Sequence, residues 1–280
     1  MRELTGDCES FRTISSDPCP GWSNVHSHRI EIALPQVLYN LLHLRSYPNG
    51  SLFKIPGERA EPTELTASSW NQIRPLREEI ASATIQGGAA LASAVGLVYL
   101  VSRAWPRQDA PGLAALIVYG ASMLIAFLAS ALYHGVQHPR IRAILQEIDH
   151  CAIFLLIAGT YTPVALLPLR QHGGVALLLS IWGLAVTGIV VRLSNGPLFE
   201  RIALPLYLLT GWLGLAWTAP LTRQIGTVPI LLMAAGAVSY TGGLLFYRWH
   251  GRPFSNSMWH LCVVAGAAWF FVAICRFLPT

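Results

Sequence analysis

Between Asp109 and Arg140 the chain reads APGLAALIVYGASMLIAFLASALYHGVQHP, residues 110–139, with no Asp, Glu, Lys or Arg. At about 1.5 Å per residue, thirty helical residues reach about 45 Å, well beyond the ~30 Å of a bilayer's hydrocarbon. The stretch is therefore read as a membrane span. Marking the gaps between charged residues after position 79 yields the full set of such windows: 80–102, 110–139, 150–169, 171–191, 202–222, 224–247 and 253–275. Each holds at least the roughly 20 residues that a crossing helix needs. Barrel strands would instead alternate in segments of about ten residues, and no such alternation is seen. The expected fold class is all-α, a seven-transmembrane helix bundle with a polar N-terminal extension. Arg170 alone separates the third and fourth windows, which predicts a tight turn around Gln171-His172-Gly173-Gly174.

Composition agrees with this reading. Of 280 residues, 19 are Lys or Arg and 14 Asp or Glu, or 12% charged, while 53% are hydrophobic and mean hydropathy is +0.48. Soluble domains carry about a quarter charged residues. A disordered chain, a coiled coil and an ordinary cytosolic enzyme are excluded. Ten of the fourteen acids lie in the first 79 residues, leaving Asp109, Glu147, Asp149 and Glu200 for the remainder. Residues 1–76 are accordingly read as a polar, largely disordered cytoplasmic segment, and residues 77–280 as the membrane domain. Lys54 is the one Lys; the other cations are Arg, scattered singly between apolar windows. That pattern suits headgroup anchoring and not a nucleic-acid partner, which needs a clustered basic face. The five Cys include no CxxC pair, so neither a thiolate metal site nor a disulfide framework is indicated. The first thirty residues lack the apolar run of a secretory signal, and the spans themselves are expected to direct insertion. With a cytoplasmic N-terminus, Arg74, Arg77, Arg140, Arg142, Arg192, Arg201, Arg248 and Arg252 lie inside, against Arg103, Arg107, Arg170, Arg223 and Arg276 outside. The positive-inside rule then favours a cytoplasmic N-terminus and an extracytoplasmic C-terminus, with the cell membrane as the expected location.

An ionisable side chain at membrane depth is costly and marks function by default. Ser130 and His134 lie at i and i+4 near the end of the second span, on one helix face. Asp149 and His150 open the third, and His260 lies in the seventh with Asn256 four residues before it. Alternation of spans puts Ser130, His134, Asp149, Asn256 and His260 in one leaflet. Two imidazoles and a carboxylate at one depth suit zinc, which takes nitrogen and oxygen ligands and acidifies bound water. Asp149 is then a candidate proton acceptor, and Ser130 a candidate hydrogen-bond donor to the site or to an oxyanion. Blander readings stand beside these: His134 as an interfacial ring, and Asp149 and Asn256 as helix caps.

The order of these motifs carries a resemblance. Ser130-Ala131-Leu132-Tyr133-His134, Asp149-His150 and Ile157-Ala158-Gly159-Thr160-Tyr161-Thr162-Pro163 are similar to the hemolysin III family, within the progestin and adiponectin receptor superfamily. So are Glu78-Glu79-Ile80-Ala81, Leu209-Thr210-Gly211-Trp212, Tyr240-Thr241-Gly242 and Trp259-His260. The likeness covers about residues 76–278. It implies a seven-helix protein with a cytoplasmic N-terminus and zinc held by a His of the second span and two of the seventh, with an Asp of the third reaching the metal through water. Carried over by position, these are His134, His260 and Asp149, with Ser130 beside them. The remaining ligand position holds Asn256, where the pattern has His. Gln86 and Trp269 also stand where bacterial members often have His. A carboxamide is a weak zinc ligand beside imidazole, so three outcomes stay open: direct coordination by Asp149, weak binding through Asn256, or a polar cluster kept without metal. The expectation is zinc retained with altered geometry.

Three functions compete. The resemblance implies a zinc-dependent amide hydrolase acting on a membrane lipid, as in ceramidase activity, with Asp149 as base and Ser130 assisting. It also brings a pore-forming, cytolytic activity, which spans without internal charges support poorly. Asn256 makes a non-catalytic, receptor-like or regulatory protein credible. A retinal-based light sensor is excluded, since no span contains a Lys.

Overall fold

The computed structural model describes residues 76–278 apart from 106, 195–196 and 250–251, and describes no side chain at 197–201. The polar segment expected over residues 1–76 thus lies outside the described residues except for Leu76. The described residues are helical, without strands: α1 Leu76–Ala104, α2 Ala110–Gly135, α3 Pro139–Leu166, α4 Gly174–Leu193, α5 Pro197–Trp212, a 3-10 turn Leu213–Trp217, α6 Thr218–Ile225, α7 Thr227–Arg248 and α8 Ser255–Phe277. Among them, α1, α2, α4, the α5–α6 segment Ile202–Ile225, α7 and α8 are long and apolar enough to cross a membrane, six in all. The third expected window falls in α3, which is not one of the six.

α3 begins at Pro139, eleven residues before its charge-free window, with His138 as its N-cap. Charges mark where lipid ends, whereas a helix persists as long as its backbone hydrogen bonds do. Asp149 consequently sits in the helix interior and is not a cap. The helices form a ring in the order α4, α3, α2, α1, α8, α7, α5, closed by α5 against α4, and α3 also touches α5 and α8. This central position suits a helix carrying Asp149, His150, Thr160, Tyr161 and Thr162, because its neighbours are other helices more than lipid. Lipid-type residues such as Leu91, Val95, Leu179, Val186 and Leu231 point outward. One buried cluster gathers Leu100, Leu116, Tyr119, Phe127 and Ile274, and a second gathers Phe154, Leu169, Leu177, Ile181 and Leu221. Where α2 and α3 cross, a Cβ on Gly159 would overlap the Ser122 hydroxyl, so only glycine lets these backbones approach.

The expected turn between the third and fourth windows is present, with Gly173 in the left-handed region (φ 85°) just before α4. Asp109 caps α2, its carboxylate accepting from the Gly112 N–H at 3.0 Å, and forms an ion pair with Arg170 of that turn.

The fifth window, 202–222, falls in the span Ile202–Ile225, whose helix is interrupted after Trp212 by the 3-10 turn. α5 stops at Trp212 because Tyr161 of α3 inserts its hydroxyl into the ladder, donating to Gly211 O at 2.6 Å and accepting from Gly214 N at 3.1 Å. A Cβ on Gly214 would lie 2.6 Å from the Tyr161 ring. Insertion of a side chain into the i to i−4 ladder is an established cause of a kink. Tyr161→Phe strands both backbone groups, so the thermal midpoint of the detergent-solubilised protein is expected to fall by an amount equivalent to about 1–3 kcal/mol.

Candidate metal centre

α1 organises the polar end of the bundle. Its positions 78, 79, 82, 86 and 93 are polar and buried (Glu78, Glu79, Ser82, Gln86, Ser93), and their spacing of one to four residues and then seven keeps them on one face. Glu78 accepts the backbone N–H of Asn256 at 3.0 Å, so a carboxylate from α1 caps the N-terminus of α8, where the helix dipole favours negative charge. Glu79 accepts from Arg142 of α3 at 2.8 Å and from His134 Nδ1 at 2.7 Å. Ser82 lies 3.2 Å from both Ser257 Oγ and Asn256 Nδ2.

On this frame α2 and α8 bring their histidines together. His134 Nε2 and His260 Nε2 are 2.9 Å apart, with the rings edge to face at 4.8 Å, and both residues are buried. Asn256 Nδ2 lies 2.9 Å from the same His260 nitrogen. On the far side of that ring Gln86 Nε2 lies 2.5 Å from Nδ1. The structure therefore brings His134, His260 and Asn256 together, the two histidines being 126 residues apart in the chain. Asp149 lies near the His134 ring and the Ser130 hydroxyl. The Ser130 hydroxyl is buried and meets no partner at ordinary hydrogen-bond distance. Among the described residues no group of three His, Cys, Asp or Glu side chains is close enough to hold a metal. Asn256 occupies the first turn of α8, but its side chain meets Ser82 and His260 and caps nothing.

Proton accounting tests whether the site fits a metal. A neutral imidazole has one donor and one acceptor, yet His260 faces an amide nitrogen on each side. One amide must be turned over, since the two ends of a carboxamide are isosteric. Gln86 is the one whose oxygen is buried without a partner. Turned, its Oε1 accepts the His260 Nδ1–H, just as Glu79 accepts the His134 Nδ1–H. The two Nε2 atoms then face each other at 2.9 Å, with the Asn256 amide 2.9 Å from the His260 one, an arrangement that one cation between the rings could share. Ligating imidazoles commonly donate their other N–H to a carboxylate or carbonyl in this way. Two nitrogens about 2.0–2.1 Å from a tetrahedral zinc lie about 3.3 Å apart, so an outward shift of a few tenths of an ångström admits the ion. The residues fit.

Glu79, Gln86 and Arg142 were not among the candidate site residues. The available signal was the stripe at 79, 82 and 86, polar groups on one face of a span that otherwise faces lipid and core.

The chain matches the family model described as Haemolysin-III related over residues 76–271. It is 37% identical to Hemolysin-3 of Bacillus cereus over 206 residues, 73% of this chain and 94% of that protein. Against the Hemolysin-3 homolog of Bacillus subtilis (strain 168) it is 36% identical over 199 residues, 71% and 93% of the two chains. It is also similar to the monocyte to macrophage differentiation factor of Homo sapiens, 27% identical over 171 residues, 58% and 69% of the two chains.

Proposed function

The chain belongs to the haemolysin III family of multi-pass membrane proteins, and from that premise we propose a seven-span protein of the cell membrane whose His134–His260 pair binds zinc and serves hydrolysis of a membrane lipid amide. In this reading α3 is the seventh crossing, its polar residues sheltered by the surrounding helices. The N-terminus is cytoplasmic, the C-terminus extracytoplasmic, and the histidine pair lies in the cytoplasmic half. The observation that carries the proposal is the approach of two imidazole Nε2 atoms to 2.9 Å, with Glu79 behind one ring and Gln86 behind the other.

His134 and His260 would hold the metal, with Asn256 as a weak neutral third donor. Zinc supplies Lewis acidity there when bound. Arg142 fixes Glu79, Glu79 fixes the tautomer of His134, and Gln86 fixes that of His260. Asp149, beside Ser130 and His134, takes the proton from the water that attacks the amide carbon and returns it to the leaving amine. The buried Ser130 hydroxyl donates to the oxyanion that develops on the amide oxygen.

A second reading, a receptor-like or regulatory protein without catalysis, is favoured by Asn256 in place of a third imidazole. The names of the Bacillus relatives point to lysis as a third. The discriminating experiment assays zinc content and ceramide hydrolysis of the purified protein with and without chelator. Near-stoichiometric zinc and chelator-sensitive turnover that His134→Ala abolishes are expected. Turnover unchanged by His134→Ala overturns the hydrolase, and zinc without turnover supports the regulatory reading. Dye release from liposomes at low protein density would support lysis instead.

A further inference from the structure

We propose that the end of the bundle opposite the histidine pair binds a phosphate-bearing anion, with Arg170 and Arg276 as the cationic groups that hold it. A cavity of about 490 Å³ opens where the α1–α2 loop, the α3–α4 turn, the end of α6 and the end of α8 meet. Arg276 lies sixteen residues beyond His260 on α8, about 24 Å along the helix axis. This pocket is separate from the metal centre and does not depend on it.

Charge is the first argument. The loops and helix ends here carry Arg103, Arg107, Arg170, Arg223 and Arg276 against Asp109 alone. Within the cavity wall Asp109 neutralises Arg170 and is held in place by its second task, capping α2. Arg276 is paired with no acid among the described residues. One uncompensated guanidinium therefore faces the cavity, and a second is tied to a carboxylate that an incoming anion can replace. A guanidinium fork matches phosphate oxygens two at a time.

The remainder of the lining indicates what else the ligand carries. The amides of Gln108 and Gln224 add neutral donors, whereas Leu166, Leu167, Ile225 and Phe277 supply an apolar wall. A pocket with a cationic side and an apolar side fits an amphiphile better than a bare ion. Its level, at the helix ends where Arg anchors sit, is that of lipid headgroups. A phosphate-bearing lipid headgroup and free phosphate share the chemistry that the two guanidiniums recognise.

The test uses the full-length protein with two probes. Native mass spectrometry from mixed phosphatidylglycerol and phosphatidylcholine measures lipid retention; thermal shift on adding inorganic phosphate measures the free anion. Retention of phosphatidylglycerol over phosphatidylcholine is expected at about tenfold, the scale of one charge-assisted hydrogen bond. Arg276→Gln should bring that ratio close to one. Asp109→Asn, which still caps α2 but releases Arg170, should raise it. A lipid preference that millimolar phosphate does not disturb assigns the pocket to a headgroup. A phosphate-induced shift lost in Arg276→Gln, without lipid preference, assigns it to the free anion. Equal ratios and no phosphate response in wild type, Arg276→Gln and Asp109→Asn overturn the proposal, and the thermal midpoint of each variant without ligand reports on folding independently.

Discussion

Asn256→His is expected to tighten zinc binding by more than about 100-fold, because partners outside the metal's own ligands are already worth about 10–100-fold. Position 256 precedes His260 by one helical turn on α8, so the two side chains share a face. The Asn256 carboxamide already approaches His260 Nε2 to 2.9 Å, and an imidazole there replaces a weak neutral donor with a strong one. Ser82, now 3.2 Å from the carboxamide, is placed to accept the new ring's second N–H, while Ser257 continues to engage Ser82. Backbone geometry is kept, since Glu78 binds the N–H of residue 256 and not its side chain. Competition titration against a chromophoric chelator reads the change. Adding His260→Ala to the same background should erase the gain. An Asn256→His protein that binds zinc no tighter than wild type would mean that the three side chains share no ion, and the cluster would then be a hydrogen-bonded network alone.

The sequence revealed the helices of this protein better than their ends. Runs without charge report contact with lipid, and they located α1, α2, α4, α7 and α8 to within a few residues. They could not report the eleven residues by which α3 precedes its window, because a helix continues into the interface as long as its hydrogen bonds do. Nor could they report the break after Trp212, which is caused by Tyr161, fifty residues upstream of Gly211. At the site, alternation of spans suggested one depth for His134 and His260, which the structure brings into contact, and helical spacing put Asn256 with His260. Glu79 escaped notice as a site residue for a different reason. An acid in the first turn of a helix ordinarily answers the helix dipole, and only packing against α2 and α3 shows that this one faces His134 and Arg142 instead.

Glu79→Ala is expected to weaken zinc binding by about 10–100-fold, the usual cost of removing a partner behind a ligating imidazole, and to destabilise the fold as well. In the wild type the buried carboxylate accepts from His134 Nδ1 at 2.7 Å and from Arg142 at 2.8 Å. Truncation leaves the imidazole free to carry its proton on Nε2, the atom that faces His260, so the metal must displace a proton that Glu79 previously kept on the other nitrogen. Removing one partner of a fully buried pair costs about 3–5 kcal/mol. Arg142 is 26% exposed and can turn to water, so about 2–3 kcal/mol is expected here. Glu79→Gln keeps an acceptor for Nδ1–H but no charge, and its zinc affinity should fall by about tenfold at most. Arg142→Ala separates the two effects: it costs stability by leaving Glu79 less compensated, yet leaves the His134 tautomer in place and zinc affinity within a few-fold of wild type. Nitrogen chemical shifts of His134 supply the independent readout, with the proton on Nδ1 in wild type and Arg142→Ala and moving to Nε2 in Glu79→Ala. If all three variants lower zinc affinity equally and leave the tautomer alone, Glu79 serves the packing of α1 against α2 and α3 and not the metal.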